Sequence, residues 1–217
     1  MSQTPGPIRI FNQLAGTSLD RVAGISDGIF SVGMTLLVLG LAVPPLTAAT
    51  STDSGLATAL GNLGPNVLVY VMSFMTLGIF WVGQSTQLGH LARSNRHFVW
   101  IQLAFLLAVT LVPFSTALLA RYPTLRLALV EYWLNIVLLG GILWAALEYA
   151  HRAHLFEEGE ERDVVHLMRG RILIAQSLYA IATALSIFFS TWVSIVLIVL
   201  VQLNYVIAPR IPILRRF

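Results

Sequence analysis

Residues 21–39 read Arg-Val-Ala-Gly-Ile-Ser-Asp-Gly-Ile-Phe-Ser-Val-Gly-Met-Thr-Leu-Leu-Val-Leu. After Arg21 the run holds one charged side chain, Asp27, and stays uncharged to Val43, where Pro44-Pro45 stops it. The segment 22–43 is long enough to cross a bilayer core about 30 Å thick, which takes on the order of 20 mostly apolar residues. An aspartate inside such a helix costs about 2.5–3.5 kcal/mol at the bilayer centre and less near its edge, so Asp27 needs a partner. Arg21 lies ~120° away around the helix and cannot be that partner by i, i+4 pairing. Asp27 must reach another helix, a neighbouring subunit or water, as a structural tie or with a direct role in permeation. On the same helix, Gly28, Val32, Leu36, Leu39 and Val43 fall within about 40° of a common line, with Thr35 about 60° to one side. Periodicity alone reads this stripe as ordinary helix packing. Gly24, Gly28 and Gly33 permit close approach and suit packing and assembly equally.

The rest of the chain has the same character. Of 217 residues, 57% are hydrophobic and 11% charged, against about 25% charged in a soluble domain. This excludes a disordered chain and argues against an ordinary soluble enzyme. The absence of cysteine removes disulfides, thiolate metal sites and cysteine nucleophiles. The net charge of +3 carries no nucleic-acid reading, because the thirteen basic residues, all arginine, sit singly or in pairs between apolar runs.

Read for spans, the chain is an all-α polytopic membrane protein. Further spans are expected over about 63–88, 97–120 and 125–148, with Pro65 tolerated in a first turn and Pro113 kinking the third. The polar stretch 151–168, crowded with Glu157, Glu158, Glu160, Glu161 and Asp163, reads as a solvated cytoplasmic loop or helix start. The apolar sequence from Ile172 to Ile207 would be some 54 Å long as one helix, more than a bilayer needs. A hairpin turning near Ser190-Thr191-Trp192 gives spans over about 170–188 and 191–207, although the turn lacks Gly and Pro. The arginines favour the hairpin. With six spans and both termini cytoplasmic, eleven of the thirteen lie inside and only Arg121 and Arg126 outside, as the positive-inside rule requires. Five spans would divide them eight to five. A cell-membrane protein forming one unit over 1–217 is expected, without a cleaved signal peptide.

Chemistry is notable by its absence. No zinc-protease, serine-hydrolase, Walker or dinucleotide motif occurs, so no enzyme and no cofactor is expected. His151 and His154 have a spacing that can hold a metal, but they fall in the inner polar stretch and read as a water-facing pair. There is no T-V-G-Y-G run from which a carbonyl filter could be built.

The segment 21–39 resembles the first helix of the transmembrane protein 175 family of potassium channels, whose signature is R-x-x-x-F-S-D followed by G-I-F-A/S and T-L-L-V-L. Arg21, Ser26, Asp27, Gly28, Ile29, Phe30 and Thr35-Leu36-Leu37-Val38-Leu39 match, with Ile25 in place of Phe. Phe80-Trp81 resembles an aromatic pair of the second helix, with Gln84 where a histidine usually follows, and Leu111-Val112-Pro113-Phe114-Ser115-Thr116 resembles L-x-P-F-x-T of the third. The resemblance implies six helices per subunit and a homotetramer around the first helix. It implies a pore whose constriction is Val32, Leu36 and Leu39, with Thr35 contributing to ion preference. Potassium over sodium is the expected selectivity, with the potassium ion as permeant and no resident metal. Arg21, Ser26 and Asp27 are expected to form a polar network holding the inner half of the pore helix. The competing reading is a proton-coupled secondary transporter using Asp27, against which stand the lack of a visible repeat and the position of Asp27 near a span end.

Overall fold

The computed structural model describes residues 18–157 and 161–207, and the regular secondary structure is helical apart from one isolated β-bridge. The elements in chain order are α1 (Leu19–Leu37, tightening into a 3-10 turn Val38–Gly40), α2 (Asp53–Gly61), α3 (Gly64–Gly89), α4 (Arg96–Thr110), α5 (Val112–Arg121), α6 (Arg126–Arg152), α7 (Glu161–Leu185) and α8 (Thr191–Ile207). Among the described residues, four stretches are long and apolar enough to cross a membrane: Leu19–Gly40, Gly64–Gly89, Arg96–Arg121 and Arg126–Arg152. The apolar part of α8, Thr191–Tyr205, is shorter. Helix α7 spans 25 residues, but its first turns carry Asp163, His166, Arg169 and Arg171.

Local chemistry explains the boundaries. Ser18 caps α1, its hydroxyl accepting the Arg21 N–H at 3.4 Å, and Asn95 caps α4 by accepting the Phe98 N–H at 2.9 Å. Pro65 sits in the first turn of α3, where its missing N–H leaves nothing unpaired. The expected kink is present: the third span breaks at Leu111, ahead of Pro113, into α4 and α5. Asn135 on α6 faces this break. With its amide oriented to satisfy both groups, its oxygen accepts the Val112 N–H at 3.2 Å and its nitrogen donates to the Ala108 carbonyl at 3.3 Å.

Three features differ from the expectation. The polar segment after α1 contains the short exposed helix α2, capped by Thr52, which accepts the Gly55 N–H at 3.2 Å. Its cap was readable; its low amphipathicity hid it. The first helix ends near Gly40 rather than at the prolines, and the fourth span runs on to Arg152 rather than ending near 148. The next helix starts at Glu161, inside the stretch read as a loop or helix start. The segment before it is stitched to the α3–α4 turn. Leu91 and Phe156 form the bridge, the Ala92 N–H donates to the Leu155 carbonyl at 2.9 Å, and the Arg93 guanidinium donates to the His154 carbonyl at 2.9 Å.

The core lies where α1, α3, α4, α5 and α6 meet, and α7 and α8 pack on its far side against α6 and α3. Phe30, Phe105 and Phe80 form an aromatic chain through it, with centroids 6.1 and 6.3 Å apart. A buried polar string crosses the same core. Gln202 on α8 donates to Thr76 at 2.7 Å and to the Tyr179 hydroxyl at 2.8 Å, and Thr76 meets the Tyr132 hydroxyl at 2.9 Å. In a lipid environment, interhelical bonds of this kind hold helices together where the hydrophobic effect is weak.

Candidate functional site: the two faces of the first helix

Helix α1 divides cleanly. One face, Val22, Ser26, Phe30, Gly33 and Leu37, is buried against α3, α4 and α5. Gly33 is where the close approach happens: a side chain there would meet Leu77 and Val109. The opposite face is the stripe read from the sequence. Val32, Leu36 and Leu39 are 57%, 45% and 75% exposed, whereas Phe30 and Leu37 are 1% and 2% exposed. Gly24 and Gly28 have nothing within reach of an added Cβ, so their smallness serves no contact among the described residues of the chain. Thr35 is exposed on the same side, its hydroxyl donating to the Val32 carbonyl at 2.8 Å.

The N-terminal end of α1 carries the polar residues. Asp27 reaches a neighbouring helix: the Trp81 indole N–H of α3 donates to its Oδ1 at 2.8 Å. Ser26 points the other way, into the core. Its hydroxyl donates to the Val22 carbonyl at 2.8 Å and accepts from the Gln84 amide at 3.0 Å. The same Gln84 nitrogen donates to Gln102 Oε1 of α4 at 2.8 Å, so α1, α3 and α4 share one buried amide network. Arg21 is exposed, and among the described residues its side chain bonds to neither Ser26 nor Asp27. The three motif residues are thus not one network within the subunit: two dock α1 onto α3 through different partners, and the third faces outward. Ser26, Asp27, Trp81, Gln84 and Ser85 line a polar cavity of about 210 Å³ at this end.

Sequence reasoning did not assign Gln84 and Gln102, or the indole of Trp81, to Ser26 and Asp27. Gln84 and Gln102 are uncharged amides inside otherwise apolar spans, which was the available signal. Nothing local, however, shows that two glutamines 18 residues apart face each other across a helix pair.

The surroundings hold no competing chemistry. Among the described residues no group of three or more His, Asp or Glu could hold a metal ion, and the His151 and His154 region is absorbed in the α6–α7 turn.

Comparison with known proteins places this arrangement. A family model described as "Endosomal/lysosomal potassium channel TMEM175" matches residues 21–113, which span α1 to the kink. A potassium channel of Chamaesiphon minutus is 33% identical over 181 residues, covering 81% of this chain and 87% of that one. A potassium channel of Streptomyces collinus is 38% identical over 102 residues, about half of each chain. The mouse endosomal/lysosomal proton channel TMEM175 is 21% identical over 188 residues, and the match covers 36% of that longer protein. The crystal structure of a lysosomal potassium-selective channel TMEM175 homolog from Chamaesiphon minutus superposes with a TM-score of 0.74 at 27% identity, covering 88% of this chain and 97% of that one. Alike to the Chamaesiphon minutus channel over most of both chains in sequence and in fold, this multi-pass membrane chain belongs to the TMEM175 family.

Proposed function

We propose that the chain is the subunit of a potassium-permeable channel that prefers potassium to sodium. Six spans, both termini cytoplasmic, form a subunit in the cell membrane, and four subunits assemble around α1. Val32, Leu36 and Leu39 make the constriction, with Thr35 beside it. The observation that carries this reading is the α1 stripe itself: a helix buried on one side that leaves a row of apolar residues and two contact-free glycines on the other. A second copy of the same helix fits against small residues of this kind. The relatives named as potassium channels support the permeant ion.

An apolar ring selects by the cost of removing water. Potassium holds its shell less tightly than sodium, so a ring that strips part of the shell penalises sodium more. With no carbonyl cage to offset the loss, selectivity is modest, and the ring can close by dewetting. The test is ion-gradient flux in proteoliposomes, combined with the mass of the purified complex. Wild-type protein passes potassium faster than sodium and has the mass of four chains. Val32→Asn or Leu36→Asn keeps the ring wet and raises sodium flux severalfold. Unchanged sodium flux in both variants, or saturable proton-coupled uptake in place of conductance, contradicts the proposal.

A further inference from the structure

On the opposite side of the subunit from the α1 stripe, a cavity of about 70 Å³ opens between α3, α6, α7 and α8. Phe80, Leu143, Leu147 and Ile172 supply apolar walls. From Arg171 to Tyr179, both of which line it, α7 advances about 12 Å. Polar groups line the same space. Gln87 is 2% exposed, yet neither its amide nitrogen nor its amide oxygen has a partner. Buried side-chain amides are nearly always satisfied, so an amide without a protein partner that lines a cavity offers its donor and acceptor to whatever enters, water or ligand.

Charge at the cavity's rim points to the same class of ligand. Glu148 holds both Arg152 and Arg169. Arg171, two residues on, is exposed and has no ion-pair partner among the described residues. A guanidinium placed where α7 turns from polar to apolar sequence, with no carboxylate to neutralise it, matches a phosphate in charge and in its paired oxygens. We infer that this cavity binds an anionic phospholipid: its phosphate lies on Arg171, an ester carbonyl accepts from the Gln87 amide, and one acyl chain follows the wall from Ile172 towards Phe80. The leaflet is the inner one if the six-span topology proposed above is right; the binding itself does not depend on it.

Native mass spectrometry of the full chain in detergent tests this, titrating phosphatidylglycerol against phosphatidylcholine with the same acyl chains. Wild-type protein retains phosphatidylglycerol at severalfold lower lipid concentration. Arg171→Ala removes that preference, whereas Arg152→Ala, which removes a neighbouring paired arginine, leaves it intact. Gln87→Leu weakens retention of both lipids, because both carry the ester. Equal retention of the two lipids by wild type, no retention of either, or loss of preference in Arg171→Ala and Arg152→Ala alike would overturn the assignment. The same spectra report oligomer mass, so a variant that fails to assemble is recognised, and Gln87→Met, which keeps the side-chain length but removes the amide, then serves in place of Gln87→Leu. No ion flux enters the readout: protein that conducts nothing yet prefers phosphatidylglycerol contradicts the channel proposal and leaves this one standing.

Discussion

At Ser26 and Asp27 two adjacent side chains leave α1 about 100° apart and meet different partners on α3. Ser26 is buried and bonds to Gln84; Asp27 is exposed and bonds to the Trp81 indole. The requirement that Asp27 find a partner off its own helix followed from the cost of a carboxylate near a bilayer edge. Its partner did not, because an indole N–H in a span is one of many donors. On the proposed channel reading the contact serves docking and not filtering, since Asp27 precedes the Val32–Leu39 stripe by more than one turn. Asp27→Ala therefore reduces the yield of assembled complex far more than it changes the ratio of potassium to sodium flux, and Asp27→Asn, which keeps an acceptor for the indole, restores most of that yield. Size-exclusion profiles alongside flux separate the two effects; normal assembly with altered selectivity would put Asp27 in the ion path instead.

Among the elements, the broken third span shows most directly how sequence became structure. Pro113 alone predicts the kink, and the helix does break just before it, at Leu111. What Pro113 cannot reveal is the support: Asn135, on another helix and 22 residues away, satisfies the backbone groups of Ala108 and Val112 at the break. Asn135→Leu keeps the volume and removes both bonds. We expect it to lower stability by about 1–3 kcal/mol, seen as a lower midpoint of thermal unfolding in detergent. An unchanged midpoint would mean that water serves the kink equally well. The last hairpin was harder to read for a related reason. Its turn has neither Gly nor Pro, and it is held from a distance: Arg126 donates to the Ile187 carbonyl at 3.2 Å and Thr191 to the Thr124 carbonyl at 3.4 Å. The arginine count favoured a hairpin over one long helix, and the chain does turn between Leu185 and Thr191. Helix α2 escaped notice because nine residues with one acid and no apolar stripe resemble a loop. Apolar length, proline and charge bias were legible one residue at a time; capping across helices and the glutamine network were not, because they depend on which helices become neighbours.

For the whole molecule, the distribution of charge is the organising fact. Among the described residues, Arg93, Arg96, Arg152, Arg169 and Arg171 lie around the α3–α4 and α6–α7 turns, which are stitched through Arg93 and where Glu148 holds two more, while Arg121 and Arg126 lie at the opposite ends of their helices. The chain contains no cysteine, so its sidedness can be read directly by introducing one. A membrane-impermeant maleimide should label Ser51→Cys in intact cells and Asp163→Cys only after permeabilisation. The reverse pattern would invert the topology and with it the direction in which the pore faces. The same background serves the central claim, that the uncovered stripe of α1 lines the conduction path. The decisive measurement is potassium current through the reconstituted channel carrying a single cysteine, with a charged thiol reagent added during recording. Leu36→Cys loses its current on modification, while Trp100→Cys, on the exposed face of α4, does not. Current through Leu36→Cys that is indifferent to the reagent, or lost equally at both positions, would contradict the account.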